Sequence, residues 1–252
     1  MDLKLTGTRV LVTGGTRGIG RAIVECFLDE GAHVAFCARH SDQVAATQKA
    51  LSGRGTVIGK TVDVGDAVAL AAWVEQSADS LGGLDVVVAN VSALAIPDTE
   101  ENWQASLNVD LMHTVRLVRA AMPHLERSEA PSIIAISSVS GRESDFASGP
   151  YGTAKTALIG YIHGLALQLA DKGIRANTVS PGNTYFEGGV WASIETGNPE
   201  LFETAMELNP SGHMGTPEEV AGPVVFLASP LARRISGTNF VVDGALTRGI
   251  QL

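Results

Sequence analysis

Short apolar, β-branched runs alternate with longer stretches in which apolar residues return every three or four positions, along nearly the whole 252-residue chain. The first run, RVLVT at 9–13, predicts a buried strand. Ile19, Ile23 and Phe27 then predict a helix that Gly31 ends. A second strand is expected at 33–38, and further strands at 56–62, 84–89, 131–136, 175–179 and 239–242. Helices are expected at 42–51, 66–80, 101–125, 151–171 and 217–228. No Pro/Ser-rich linker, low-complexity tract or repeat interrupts the alternation. One α/β domain over 1–252 follows, a doubly wound parallel sheet of about seven strands with helices on both faces.

One stretch departs from the alternation. Residues 183–216, with Tyr185, Phe186, Trp191, Phe202, Met206 and Leu208, form an insertion too long for an ordinary loop. Such a segment is functional or has helices of its own.

Composition narrows the function classes. Hydrophobic residues make up 45% and charged residues 18%, which argues against disorder. A net charge of −9 argues against nucleic acid or an anionic membrane as the main partner. Cys26 and Cys37 lie within apolar patterns and outside any C-x-x-C spacing, so both are expected to be buried, inert thiols. The six histidines lack metal-ligand spacing, and no catalytic metal is expected. The N-terminus lacks the order of a signal peptide and no run of about 18 apolar residues occurs. A cytoplasmic protein is expected.

Two stretches carry chemistry. In TGGTRGIG at 13–20, glycines crowd a turn between a strand and a helix, where backbone approaches a pyrophosphate closely and the helix N-terminus favours negative charge. In ISSVSGRESDFASGPYGTAK at 136–155, Ser138 lies where a buried strand stops, and Tyr151 and Lys155 share one helix face. The carboxyl ends of parallel strands are where ligands bind, so a hydroxyl, a phenol and an ammonium converge there. A neighbouring cation is expected to lower the phenol's pKa from about 10 and suit it to proton exchange with an oxygen.

The G-x-x-x-G-x-G spacing after Thr13, with Ser138, Tyr151 and Lys155 in this order, resembles the short-chain dehydrogenase/reductase family along nearly the whole chain. The resemblance implies a Rossmann-type fold with Asn108, Ser138, Tyr151 and Lys155 as catalytic residues. In relatives the main chain at the Asn108 position holds a water that links the lysine to solvent. For the cofactor it implies Gly14, Thr16, Arg17, Gly18, Ile19 and Gly20 at the phosphates, and Asp63 and Val64 beside the adenine. Tyr151 and Lys155 would meet the nicotinamide ribose, and Pro181, Gly182 and Thr184 the nicotinamide. Asn90 matches one residue of the family's N-N-A-G segment. Here the segment reads NVSA at 90–93, which reshapes the backbone near the ribose. Relatives assemble through the helices carrying the Asn108 and Tyr151 positions and through the C-terminal segment, so a homotetramer is expected. The ending SGTNFVVDGALTRGIQL is similar to theirs, with Ala245 where a second glycine is frequent.

The second strand ends FCARH, with Arg39 and no acid. An acid there bonds a ribose 2′-hydroxyl, whereas an arginine accommodates a 2′-phosphate. Arg17 offers a second cation, and NADP(H) is therefore expected over NAD(H). Glu187, Glu195, Glu200, Glu203 and Glu207 in the insertion would repel an acidic substrate. The expected reaction is hydride transfer between NADP(H) and a small neutral ketone or secondary alcohol. Two rivals stand beside it. A 3-oxoacyl-[acyl-carrier-protein] reductase would need a basic rim, for which Arg116, Arg119 and Arg127 are candidates. A catalytically silent cofactor-binding sensor would have no use for the intact Ser, Tyr and Lys.

Overall fold

Seven strands, among the residues 2–249 that this computed structural model describes, form one sheet. They are Arg9–Thr13 (β1), His33–Ala38 (β2), Val57–Thr61 (β3), Val86–Ala89 (β4), Ser132–Ile136 (β5), Arg175–Pro181 (β6) and Asn239–Val242 (β7). All neighbours run parallel in the order β3-β2-β1-β4-β5-β6-β7. The order reverses between β1 and β4, and a crevice opens beyond their carboxyl ends.

The helices are Gly18–Asp29 (α1), Ser41–Leu51 (α2), Ala67–Leu81 (α3), Glu100–Ser106 (α4), His113–Leu125 (α5), Pro150–Gln168 (α6), Val190–Gly197 (α7), Pro199–Leu208 (α8) and Pro217–Ala228 (α9). Alternation within β1 feeds both layers. Val10 and Val12 pack with Phe27, Phe36 and Val224, while Leu11 packs on the other face with Leu70, Trp73, Leu117 and Leu158. Burying each of these large side chains stabilises the fold by about 1.5–3 kcal/mol. The two layers clamp the sheet, which holds its carboxyl edge rigid for the site.

Several boundaries differ from expectation by one or more residues, three of them for identifiable local reasons. The helix expected from residue 66 begins one residue later, because the Asp66 side chain accepts hydrogen bonds from the Val68 and Ala69 amides as an N-cap. The helix expected at 101–125 is broken in register by a π-helical turn, Leu107–Met112, between α4 and α5. The sixth strand runs on to Pro181, so Ser180–Pro181 closes β6 instead of following it. Cys37 is buried as expected, but Cys26 is only half-buried, packed at the margin of the layer that holds Phe27.

The 183–216 insertion contains α7 and α8 and a small core of its own, Trp191, Ala205 and Met214. Edge-on ring contacts, Phe146 with Trp191 and Tyr185 with Phe202, knit it together and join it to the loop after β5. Ala245 adopts φ 65°, the left-handed region that explains a glycine preference at that position. Residues 250–252 of the similar C-terminal ending lie outside the described residues.

Candidate active site

The crevice is a cleft of about 360 Å³ that runs from the glycine turn and the end of β2, past the end of β5 and the start of α6, to the insertion. Its near wall is the turn after β1. Gly14 and Gly18 take φ values of 74° and 51°, which favour glycine. A Cβ on Gly20 would stand 2.1 Å from the Gly14 carbonyl oxygen, so the helix start packs directly on the turn. Asn90 braces the same turn, its amide donating to the carbonyls of Thr13 at 3.0 Å and Gly14 at 3.3 Å. Its side chain is thus committed to the protein, although the residue lines the cleft.

Beneath the turn, the Thr13 hydroxyl lies 3.1 Å from His113 Nε2, and His113 Nδ1 lies 3.0 Å from the Val109 carbonyl. A carbonyl only accepts, so the ring proton sits on Nδ1 and the hydroxyl donates to Nε2. Burial drives the His113 pKa down to about 4, so the ring is neutral.

The two expected phosphate cations differ. Arg39 lines the cleft just past β2 and its side chain makes no hydrogen bond among the described residues. Arg17 also lines the cleft but donates to the Gly188 carbonyl at 3.0 Å, tying the turn to the insertion. Phe186 crosses the same gap, and its ring lies so close to Gly18 that a Cβ there would meet it at 2.5 Å. Gly18 is therefore covered. Thr16, Ile19, Val64, Pro181, Gly182 and Thr184 line the cleft as expected. Asp63 does not. Its carboxylate turns back to accept from the Gly65 amide at 2.9 Å, closing a short turn after β3.

The far wall holds Ser138, Tyr151 and Lys155 together. Ser138 starts the 3₁₀ turn Val139–Gly141, its Oγ accepting from the Ser140 amide at 3.1 Å. That turn packs on α6 without intervening side chains: a Cβ on Gly141 would stand 2.8 Å from the Lys155 backbone, and one on Gly152 2.8 Å from the Ser140 oxygen. Pro150 opens α6 at its first turn and sets Tyr151 at the cleft. One helical turn on, Lys155 is buried. Its Nζ donates to the Ile136 carbonyl at 3.0 Å, lies 3.2 Å from Asp110 Oδ1, and stands 5.6 Å from the centre of the Tyr151 ring.

The phenol's pKa runs opposite to the sequence expectation. Burial raises it above the ordinary tyrosine value. Lys155 and a hydrogen bond with Ser138 pull it down but do not win, and Asp110 and Asp145 add to the rise. Burial is the reason the cation alone misled: the desolvated phenol loses more than Lys155 restores.

Asn108 sits in the π turn, away from the cleft. Its side chain accepts from Arg116 at 2.7 Å and faces the Gly65 carbonyl at 3.4 Å. Arg116 is thereby spent, and Arg127 bonds His124, so of the three arginines weighed as a basic rim Arg119 alone stays exposed without a hydrogen bond among the described residues. Leu94, Ile96, Phe146, Val190 and Trp191 give the substrate end of the cleft an apolar lining. Among the described residues no cluster of three or more His, Cys, Asp or Glu is placed to hold a metal, and no helix is long and apolar enough to cross a membrane.

The strand order, the glycine cradle at the reversal point and the Ser, Tyr and Lys beyond it define a dinucleotide-binding oxidoreductase of the Rossmann type. A family model described as enoyl-(acyl carrier protein) reductase matches residues 14–247. Isoepoxydon dehydrogenase of Penicillium expansum is 42% identical over 98% of this chain and 97% of its own. A 3-oxoacyl-[acyl-carrier-protein] reductase of Vibrio harveyi is 31% identical over 97% and 99%. Among solved structures, a short-chain dehydrogenase of Burkholderia cenocepacia in complex with NADP superposes with TM-score 0.89 at 30% identity over 96% of this chain and 99% of that one. L-Sorbose reductase of Gluconobacter frateurii, complexed with NADPH and L-sorbose, superposes with TM-score 0.92 at 27% identity over 99% and 100%. The chain belongs to the classical short-chain dehydrogenase/reductase family.

Proposed function

We propose that the protein interconverts a small neutral ketone and its secondary alcohol with NADP(H), Tyr151 serving as general acid in reduction and general base in oxidation. The observation that carries this reading is the meeting of Ser138, Tyr151 and Lys155 in the same cleft that Arg39 enters from the other end. The glycine cradle fits a pyrophosphate, since the close approach of Gly14 and Gly20 leaves backbone where side chains would otherwise stand. Gly14, Thr16, Ile19 and Gly20 would hold the phosphates, Arg39 a 2′-phosphate, Val64 the adenine side, and Pro181, Gly182 and Thr184 the nicotinamide. When bound, NADPH supplies the hydride.

The chain's own residues handle the oxygen. Ser138 orients it, and the Tyr151 hydroxyl gives it a proton, or takes one in the reverse direction. Lys155 stabilises the phenolate left behind and holds the nicotinamide ribose. Asn108 lies in the π turn, and by resemblance to the family a water held near its main chain would resupply protons. The apolar lining from the insertion excludes water and favours an uncharged substrate.

The acyl-carrier reading is supported by the Vibrio harveyi relative and has a thinner basic rim than expected, since Arg116 turns to Asn108 while Arg119 and Arg127 stay exposed. Assembly as a homotetramer is supported by apolar side chains left uncovered on the helices concerned, Leu167 on α6 at 82% exposed and Leu107 beside Asn108 at 43%. The free thiols suit the cytoplasm. A screen of neutral ketones with NADPH and NADH, read by loss of nicotinamide absorbance, tests the reading. Turnover of hydroxyketones or cyclic ketones with NADPH is expected; no oxidation of either cofactor across the panel would favour the sensor instead.

A further inference from the structure

The π turn carries a carboxylate for which the proposed reaction has no use. Asp110 is 1% exposed, flanked in sequence by Val109 and Leu111, and points into the enclosure behind the tyrosine. Its Oδ1 is 3.2 Å from Lys155 Nζ, and its Oδ2 accepts from the Ala93 amide at 3.2 Å. Oδ1 receives no aligned hydrogen bond, so the contact with Lys155 is held by charge. Ala93 ends the NVSA segment that departs from the family pattern. The chain leaves it through Leu94 at φ 50°, a conformation disfavoured for a branched side chain. One carboxylate thus joins three things: the end of β4, the lysine of α6 and the π turn.

A cation paired at this distance presents little net charge to a group farther off. The ionisable groups facing the enclosure are Tyr151 and Lys155 from α6, Asp110 from the π turn, His113 and Arg116 from α5, and Asp145 from the loop after β5. His113 is neutral and Arg116 is turned towards Asn108 and Gly65, so Asp110 is the group that offsets Lys155.

We propose that Asp110 is a positioning residue: it pins the Lys155 ammonium to the NVSA segment and offsets that charge where it faces the Tyr151 phenol. This rests on Tyr151 as the proton donor. It adds a direction, since a phenol held in its protonated form favours carbonyl reduction near neutral pH over alcohol oxidation.

The test reads the phenol itself and needs no substrate. The chain has three tyrosines, so the ultraviolet phenolate titration of the intact protein minus that of Tyr151→Phe isolates residue 151. The same difference is taken in the Asp110→Asn background. Removing the carboxylate charge lowers the Tyr151 midpoint. Asp110→Ser, which retains an oxygen for the Ala93 amide, is the second variant and gives a shift of the same sign. An unmoved or raised midpoint in a folded variant overturns the proposal. Unfolding of both variants while Tyr151→Phe folds overturns it too, because Asp110 would then serve the fold alone. An inactive ketone panel would undo the function reading and leave this titration standing, so the two failures are distinct.

Discussion

Lys155 Nζ stands over the Tyr151 ring, 5.6 Å from its centre and within the roughly 6 Å over which a cation is drawn to a ring face. The phenol's pKa is nevertheless raised, by burial first. Ketone reduction should therefore hold steady through neutral pH and fall only in alkali, while alcohol oxidation should climb as pH rises and phenolate forms. Initial rates in both directions across pH check this. An oxidation rate that is flat from neutral to alkaline pH would contradict it.

Tyr151→Phe removes the proton and little volume. Turnover should drop by about a hundredfold to ten-thousandfold, the range of general acid–base contributions. NADPH binding, followed by nicotinamide fluorescence, should change little. Preserved turnover would take Tyr151 out of the reaction.

Arg39→Asp replaces a cleft-lining cation that has no hydrogen-bonding partner among the described residues with an acid suited to a free ribose. Losing one bond between charged groups, about 1.5–3 kcal/mol, should cut kcat/KM with NADPH by roughly tenfold to a hundredfold. Efficiency with NADH should hold or improve. A variant that loses nothing with NADPH would separate Arg39 from cofactor choice.

Gly20→Ala places a methyl 2.1 Å from the Gly14 oxygen and 2.4 Å from the Asn90 amide nitrogen. Backbone must move, at about 1–3 kcal/mol by the measure of overpacked sites. Urea unfolding should show that loss together with weakened cofactor binding. Gly160→Ala is the contrast, since nothing lies within 4 Å of its Cβ, and it should be neutral or slightly stabilising.

His113, neutral and buried, couples stability to acid. Its folded pKa, about 4, lies below the unfolded value near 6.5, so the unfolded chain binds the extra proton first. Stability should be fully present above about pH 6.5 and decline as pH falls towards 4, by up to about 3 kcal/mol. Denaturant midpoints between those pH values should fall less steeply in His113→Gln than in the parent protein.

The elements that were readable in the chain are those where one residue type has one physical use. Glycines after β1 and β-branched runs between helices led to the fold, and Tyr151 and Lys155 one turn apart led to the cleft. Asp110 was not found, although an aspartate flanked in sequence by Val109 and Leu111 is itself a signal of a buried partner. Its partner is 45 residues away, and periodicity along a helix does not reveal which buried side chain it meets across the fold. Asp63 and Asn90 were placed by resemblance, and their side chains meet main-chain groups, Asp63 the Gly65 amide and Asn90 the Thr13 and Gly14 carbonyls. Gly141 and Gly152 were not singled out, because the contact that requires them is between a loop and a helix.

The widened turn at Leu107–Met112 also constrains how this gene product tolerates change. A regular α-helix advances roughly 100° per residue, so deleting one position there would restore ideal geometry locally while rotating α5 against the sheet. Leu117, Val118 and Ala121 would swing out of the interior together. Length variation among descendants of this chain should therefore collect in surface connections and spare these six positions, even where side-chain identity drifts.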